Sequence, residues 1–128
     1  MARAVFDASA VIALLRDERG AEMIAGYAGE ALISTVNLQE VIKALLVRGF
    51  TLEIARTMIE ALHLEVRPHE VEDAYAAAAL EGATRTLGRG IGDRTCMALA
   101  ISAGVPAITT DQEWSHLTIP GLTVMQAR

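Results

Sequence analysis

Four carboxylates stand where a strand hands over to a helix or where a helix begins. They are Asp7 in V-F-D-A-S-A, Glu40 in S-T-V-N-L-Q-E, Asp93 in G-I-G-D-R-T and Asp111 in I-T-T-D-Q-E-W. In an α/β fold with parallel strands such positions lie along one edge of the sheet, where ligands bind. Oxygen-only acidic clusters hold Mg²⁺ or Mn²⁺, and those ions serve phosphate hydrolysis and transfer. The remaining metal-binding residue types offer little. Cys96 is the only cysteine, which excludes an internal disulfide and a multi-cysteine zinc site. His63, His69 and His116 do not stand at H-E-x-x-H spacing. A metal centre in this chain would therefore be built from oxygen.

Taken singly, each acid has a simpler reading. Asp7 is a favoured residue type for capping the helix after it. Glu40 stands three residues after Asn37, the spacing of a capping box. Asp93 could cap its own helix, although its helical angle groups it with Cys96, Met97 and Ala100 on a face that should be buried. A carboxylate there needs a partner. Thr110 and Glu113 also have capping-box spacing, which makes Asp111 an ordinary first-turn acid. Shared placement shifts the balance. Asp7 and Asp111 follow two strands that can flank the point where strand order reverses, Glu40 follows a third strand, and Asp93 begins the helix that feeds the strand before Asp111. Crowded carboxylates raise one another's pKa, and a cation in the gap relieves this.

These residues need elements to carry them. The pattern predicts strands at Ala4–Phe6, Ala31–Ser34, Leu64–Val66, Pro106–Thr109 and Leu122–Val124. Between them it predicts helices over Ser9–Arg16, Ala21–Tyr27, Val36–Arg48, the stretch capped by Thr51, the alanine-rich Asp73–Glu81 with Pro68 in its first turn, and Asp93–Ala103. The glycine-rich run from Gly82 to Gly92 reads as a mobile lead-in to the last helix. Strands and helices alternate throughout, so the expectation is a parallel sheet with helices on both faces.

The 128 residues suit one domain, 1–128, with one core. A hydrophobic fraction of 52% and a mean hydropathy of +0.34 are high for a chain this small, and imply that some apolar surface covers a partner, a second copy or a regulatory chain. No apolar run reaches membrane-spanning length. Asp7 interrupts the apolar start, and Val11 to Leu15 is too short to serve alone as a signal segment, so the chain reads as cytoplasmic. A net charge of −5 argues against a nucleic-acid coat protein but not against a nuclease. Lys43 is the only lysine. Arg85, Arg89 and Arg94 lie close together in sequence, where a backbone phosphate could use them; the plainer reading of Arg85 and Arg89 is solvated charge.

From V-F-D-A-S-A to T-T-D-Q-E-W the chain resembles PIN-domain ribonucleases, and among them the VapC-type toxins of VapBC toxin–antitoxin pairs. Asp7 with Ser9, S-T-V-N-L-Q-E, G-I-G-D-R-T-C-M-A-L-A and I-T-T-D carry the resemblance. It implies a three-layer α/β/α fold with a parallel sheet of four or five strands in the order 3-2-1-4-5. It implies that Asp7, Glu40, Asp93 and Asp111 form a pocket for Mg²⁺ or Mn²⁺, with Ser9 and Thr109 as hydroxyl neighbours and Arg94 as a candidate phosphate contact. It further implies a homodimer and a VapB-like antitoxin that alone brings DNA into contact with the complex.

The corresponding chemistry is hydrolysis of RNA phosphodiesters, leaving 5′-phosphate and 3′-hydroxyl ends. Asp111 is the acid least tied to direct ligation, and Glu113 could share its role. A haloacid-dehalogenase-type phosphatase would need an Asp where Ser9 stands. A receiver-like domain would need a late lysine, and Lys43 lies on a helix. A PIN nuclease outside a toxin–antitoxin pair and a non-catalytic RNA-binding module of the same fold are the nearer alternatives.

Overall fold

The computed structural model describes residues 1–88 and 90–128. Strands β1 (Ala4–Phe6), β2 (Ala31–Ser34), β3 (Glu65–Arg67), β4 (Ala107–Thr109) and β5 (Val124–Gln126) form one sheet in the order β3-β2-β1-β4-β5. All four neighbouring pairs are parallel. This is the order expected from the sequence resemblance.

Side chains on a strand alternate between the two faces of its sheet. Here Phe6, Ile33 and Ile108 enter one core, while Val5, Leu32 and Ala107 enter another. Helices α1 (Ala8–Leu15), α2 (Ala21–Ala25), α3 (Thr35–Val47) and α4 (Leu52–Glu60) close the first core with Val11, Ile24, Val41, Leu45 and Ile59. Helix α7 (Ile91–Ala103) closes the second with Cys96, Met97 and Ala100, joined by Trp114 and Ile119. Helices α5 (Val71–Ala78) and α6 (Glu81–Thr84) complete the chain, and α5 packs on α7.

Several boundaries differ from those expected, each for a local reason. Helix α5 starts at Val71, so Pro68 lies outside it. The backbone N–H of Glu70 donates to Asp73 Oδ2 at 2.8 Å and fixes the start. Part of the glycine-rich lead-in is ordered as α6 and a 3₁₀ turn over Arg85–Leu87, tied down by the buried Thr84 hydroxyl, which donates to Leu80 O at 2.8 Å. Arg85 pairs with Glu81 one turn back at 3.3 Å and is exposed, in line with the solvated reading. Arg89 lies outside the described residues. The last strand begins two residues late because Leu122 closes a turn onto Ile119 O at 3.1 Å, through Gly121 at φ 82°.

Helix α4 begins as expected, with Thr51 Oγ1 accepting from Ile54 N at 3.2 Å. Helix α3 is capped by Ser34, which accepts from Val36 N at 3.2 Å, so Asn37 and Glu40 are inside the helix and do not form its cap. Helix α7 begins at Ile91 after Gly90, whose φ of 54° is left-handed. Asp93 therefore sits in the first turn and caps nothing.

Candidate active site

Asp7 follows β1 and occupies the cap position of α1, yet its side chain makes no capping bond. It is the buried acid of the set, 6% exposed. Two hydroxyls hold it. Ser9 Oγ donates to Asp7 Oδ2 at 2.8 Å, and Thr109 Oγ1 donates to the same oxygen at 2.9 Å. Each hydroxyl in turn accepts a backbone N–H: Thr110 N onto Ser9 Oγ at 3.1 Å, and Asp111 N onto Thr109 Oγ1 at 3.0 Å. Receiving from an amide leaves each hydroxyl its single proton for Asp7. The result is two short relays that run from the loop after β4 to one carboxylate oxygen. This arrangement favours the charged form, and each bond strengthens the next.

Asp93 is partly buried and accepts from Trp114 Nε1 at 3.3 Å. The partner that its buried face required is thus an indole N–H. Asp111 is partly exposed; its Oδ1 accepts from Glu113 N at 3.0 Å. Glu40 is the most open of the four and accepts from Asn37 Nδ2 at 2.8 Å. Asn37 is fully buried and also donates to Gly92 O at 3.0 Å.

The four acids line one cleft of about 540 Å³ together with Ser9, Ile12, Lys43, Ala44, Val47 and Arg48. Burial pushes Asp7 up to about 6, the Glu40 charge adds to this, and the Ser9 and Thr109 hydroxyls oppose it. Asp93 also rises to about 6, first through burial and then through Asp7 and Asp111, with Trp114 and Arg94 opposing. Beneath them the fully buried Cys96 thiol is raised well above its ordinary range by burial and by Asp7, Asp93 and Glu40.

Burial is the main cause at both Asp7 and Asp93, and neighbouring carboxylate charge adds to it; a divalent cation beside them would offset both. The donors are all carboxylate or hydroxyl oxygen and so fit a hard ion in kind. Among the described residues, no three His, Cys, Asp or Glu side chains stand as a ready-made metal cage. Each of the four carboxylates spends an oxygen on a protein donor: Asp7 on Ser9 and Thr109, Glu40 on Asn37, Asp93 on Trp114, and Asp111 on the Glu113 N–H.

Other expected neighbours fall differently. Thr109 is fully buried and acts on Asp7 without facing the cleft. Arg94 does not line the cleft, and its guanidinium passes over Gly90. Glu113 is exposed and contributes its backbone N–H to Asp111. Asn37, Trp114, Lys43 and Arg48 were not singled out from sequence. The i−3 spacing of Asn37 from Glu40 signals their contact, although it is a side-chain bond inside the helix and not a cap. A larger hollow of about 710 Å³ is mostly apolar, lined by Leu38, Ile42, Leu52, Ile59, Leu64 and Val66, with Arg56, Glu60 and His63 as its charged or polar residues, and it contains none of the four acids.

A PIN domain matches residues 4–119. The chain belongs to the PIN-domain family. No curated protein matches it significantly in sequence. Among solved structures, this PIN domain is similar to DNA-bound VapBC from Salmonella typhimurium, at 18% identity and a TM-score of 0.74 over 100% of both chains. It is similar to VapBC2 from Rickettsia felis bound to a promoter DNA fragment, at 14% identity and a TM-score of 0.72, covering 96% of this chain and 97% of that one. It is also similar to VapBC-5 from Mycobacterium tuberculosis, at 22% identity and a TM-score of 0.63, covering 98% and 99%. At these identities the likeness is one of fold.

Proposed function

We propose that this chain is a Mg²⁺- or Mn²⁺-dependent endoribonuclease, the toxin of a type II toxin–antitoxin pair, acting in the cytoplasm. One observation carries the reading: Asp7, Glu40, Asp93 and Asp111, from four separate segments, line a single cleft at the carboxyl edge of the sheet. Membership of the PIN family supports nuclease chemistry. The toxin–antitoxin identity of the fold's solved neighbours supports a VapB-like partner through which DNA is reached.

In this reading Asp7, Asp93 and Glu40 are the principal ligands, and Asp111 completes the set. The ion supplies Lewis acidity, which acidifies water and offsets charge on phosphate. The chain does the rest. Ser9 and Thr109 keep Asp7 ionised and fixed in orientation. Trp114 holds Asp93. Lys43 and Arg48, on the α3 wall, offer positive charge to the RNA backbone. Water attacks phosphorus in line, the bond to the 3′ oxygen breaks, and the products carry a 5′ phosphate and a 3′ hydroxyl. Exposed Leu46, Val47, Phe50, Leu52 and Ile54, around the α3–α4 turn, support burial against a second copy or the antitoxin.

The test is cleavage of a total RNA pool by purified protein with Mn²⁺, Mg²⁺ or EDTA, followed by end mapping. Metal-dependent cuts with 5′-phosphate ends are expected. Undiminished cutting in EDTA, or cyclic phosphate ends, overturns the metal mechanism. The spread of the carboxylates onto protein donors favours a second reading, a non-catalytic RNA-binding module. RNA binding in Mg²⁺ without any cleavage would select it. A nuclease outside a toxin–antitoxin pair is distinguished by a neighbouring reading frame that lacks a DNA-binding segment.

A further inference from the structure

Asn37 is a fully buried polar residue one turn before Glu40 on α3. Its Nδ2 makes two bonds, to Glu40 Oε1 at 2.8 Å and to Gly92 O at 3.0 Å. Both partners are acceptors, so the amide can present only its NH₂ group to them. The orientation of the side chain is thereby fixed, and Oδ1 is left buried without a hydrogen-bond partner in the fold. An unsatisfied buried carbonyl is unfavourable, and an apolar residue would avoid it. The end of the amide that the fold uses is its NH₂ group.

That end joins two helices. Glu40 is on α3, and Gly92 is in the first turn of α7, one residue before Asp93. The backbone at Gly92 passes so close to Glu40 that a Cβ there would collide with both carboxylate oxygens. Gly92 has ordinary helical backbone, so its lack of a side chain serves this approach and not a special φ. Asn37 pulls Glu40 against α7, and Gly92 makes room for it.

We propose that Asn37 is a positioning residue, which with Gly92 clamps the Glu40 carboxylate at a set separation from Asp93 and so sets the affinity of the acidic cleft for a divalent cation. The inference rests on the metal-nuclease reading above. Residues that orient metal ligands typically change metal affinity about 10- to 100-fold when altered.

The experiment measures Mn²⁺ affinity by calorimetry or Mn²⁺ electron paramagnetic resonance, without RNA, for wild type, Asn37→Ala, Gly92→Ala, Glu40→Gln and the double variant Asn37→Ala/Glu40→Gln. Asn37→Ala and Gly92→Ala should each bind Mn²⁺ at least tenfold more weakly, roughly the lower end of that range. Gly92→Ala guards against misfolding, because alanine favours the helix more than glycine does. In the Glu40→Gln background Asn37→Ala should have almost no further effect, since its influence runs through Glu40. Unchanged affinity in Asn37→Ala and Gly92→Ala, with tight binding by wild type, overturns the clamp and leaves the metal-nuclease reading standing. Additive losses in the double variant also overturn it. Failure of wild type to bind Mn²⁺ removes both.

Discussion

Thr109 Oγ1 donates to Asp7 Oδ2 at 2.9 Å, across two residues 102 positions apart in the chain. The bond ties the end of β4 to the end of β1 at the point where strand order reverses. Because the same hydroxyl accepts from Asp111 N at 3.0 Å, two of the four acids are linked through one side chain. Thr109→Val keeps the shape and deletes both bonds. It should lower stability by about 1–3 kcal/mol in urea unfolding, because a partly buried N–H and a buried carboxylate each lose a partner. RNA cleavage should fall by roughly 10- to 100-fold, as for other residues that support metal ligands. Wild-type stability together with wild-type cleavage would show that the relay is idle.

Asp7→Asn removes the charge at the most buried acid. The Asp7 carboxyl rises from 3.8 to about 6 on folding. Two units correspond to about 3 kcal/mol of charge burial at neutral pH. The variant should therefore be inactive yet at least as stable as wild type at pH 7.5, by differential scanning calorimetry and a cleavage assay. Asp93→Asn should also be inactive, with a smaller gain in stability because that carboxyl is partly solvated and water screens it. Cleavage retained by either variant would remove the proposed mechanism.

The pH dependence of stability follows with a definite sign. Between about 4 and 6 the folded state binds more protons at Asp7 and Asp93 than the unfolded state does. These two groups therefore destabilise the fold as pH rises through that window, and the full cost is present above pH 6. Metal-free protein should lose Tm between pH 5 and 7, by several degrees at roughly 3–6 °C per kcal/mol. Asp7→Asn should show a flatter profile. Parallel profiles for the two proteins would contradict the burial of charge at Asp7.

Mn²⁺ at about 100 times its Kd should add roughly 2.7 kcal/mol to stability, and EDTA should reverse this. The gain should be present at pH 7.5 and mostly lost at pH 5, where Asp7 and Asp93 hold protons that the ion must displace. Thermal shifts at the two pH values measure this directly. An equal shift at both would place the ion elsewhere.

Trp114→Phe keeps an aromatic ring in the second core but removes the N–H that Asp93 accepts at 3.3 Å. The Asp93 carboxyl should then titrate higher, moving the acid limb of the pH–rate profile upward. An unmoved limb would mean that the indole serves packing alone.

Much of this architecture was legible in advance because both of its signals are local. Short apolar strands such as Ala4–Phe6 and Ala31–Ser34 end at polar residues that start helices; Asp7 follows the first directly, and Glu40 lies in the second turn of the helix after the second. The strand order came from resemblance, since no local spacing encodes which parallel strands are neighbours. What escaped was side-chain traffic between distant segments. Nothing near Asp93 in sequence announces Trp114, 21 residues away. Asn37 carried a correct spacing with a misleading meaning, because Ser34 had already capped the helix. Arg94, a candidate phosphate contact by resemblance, has its guanidinium over Gly90, a placement that no local spacing encodes.

The lone thiol at Cys96, sealed under the acids, gives this chain a built-in gauge of its own opening. A neutral, solvent-shielded sulfur resists alkylating reagents until the segment around it breathes. The labelling rate of a single atom thus reports how often the floor of the cleft comes apart. Any ligand that grips the carboxylates above should slow that clock in proportion to its hold.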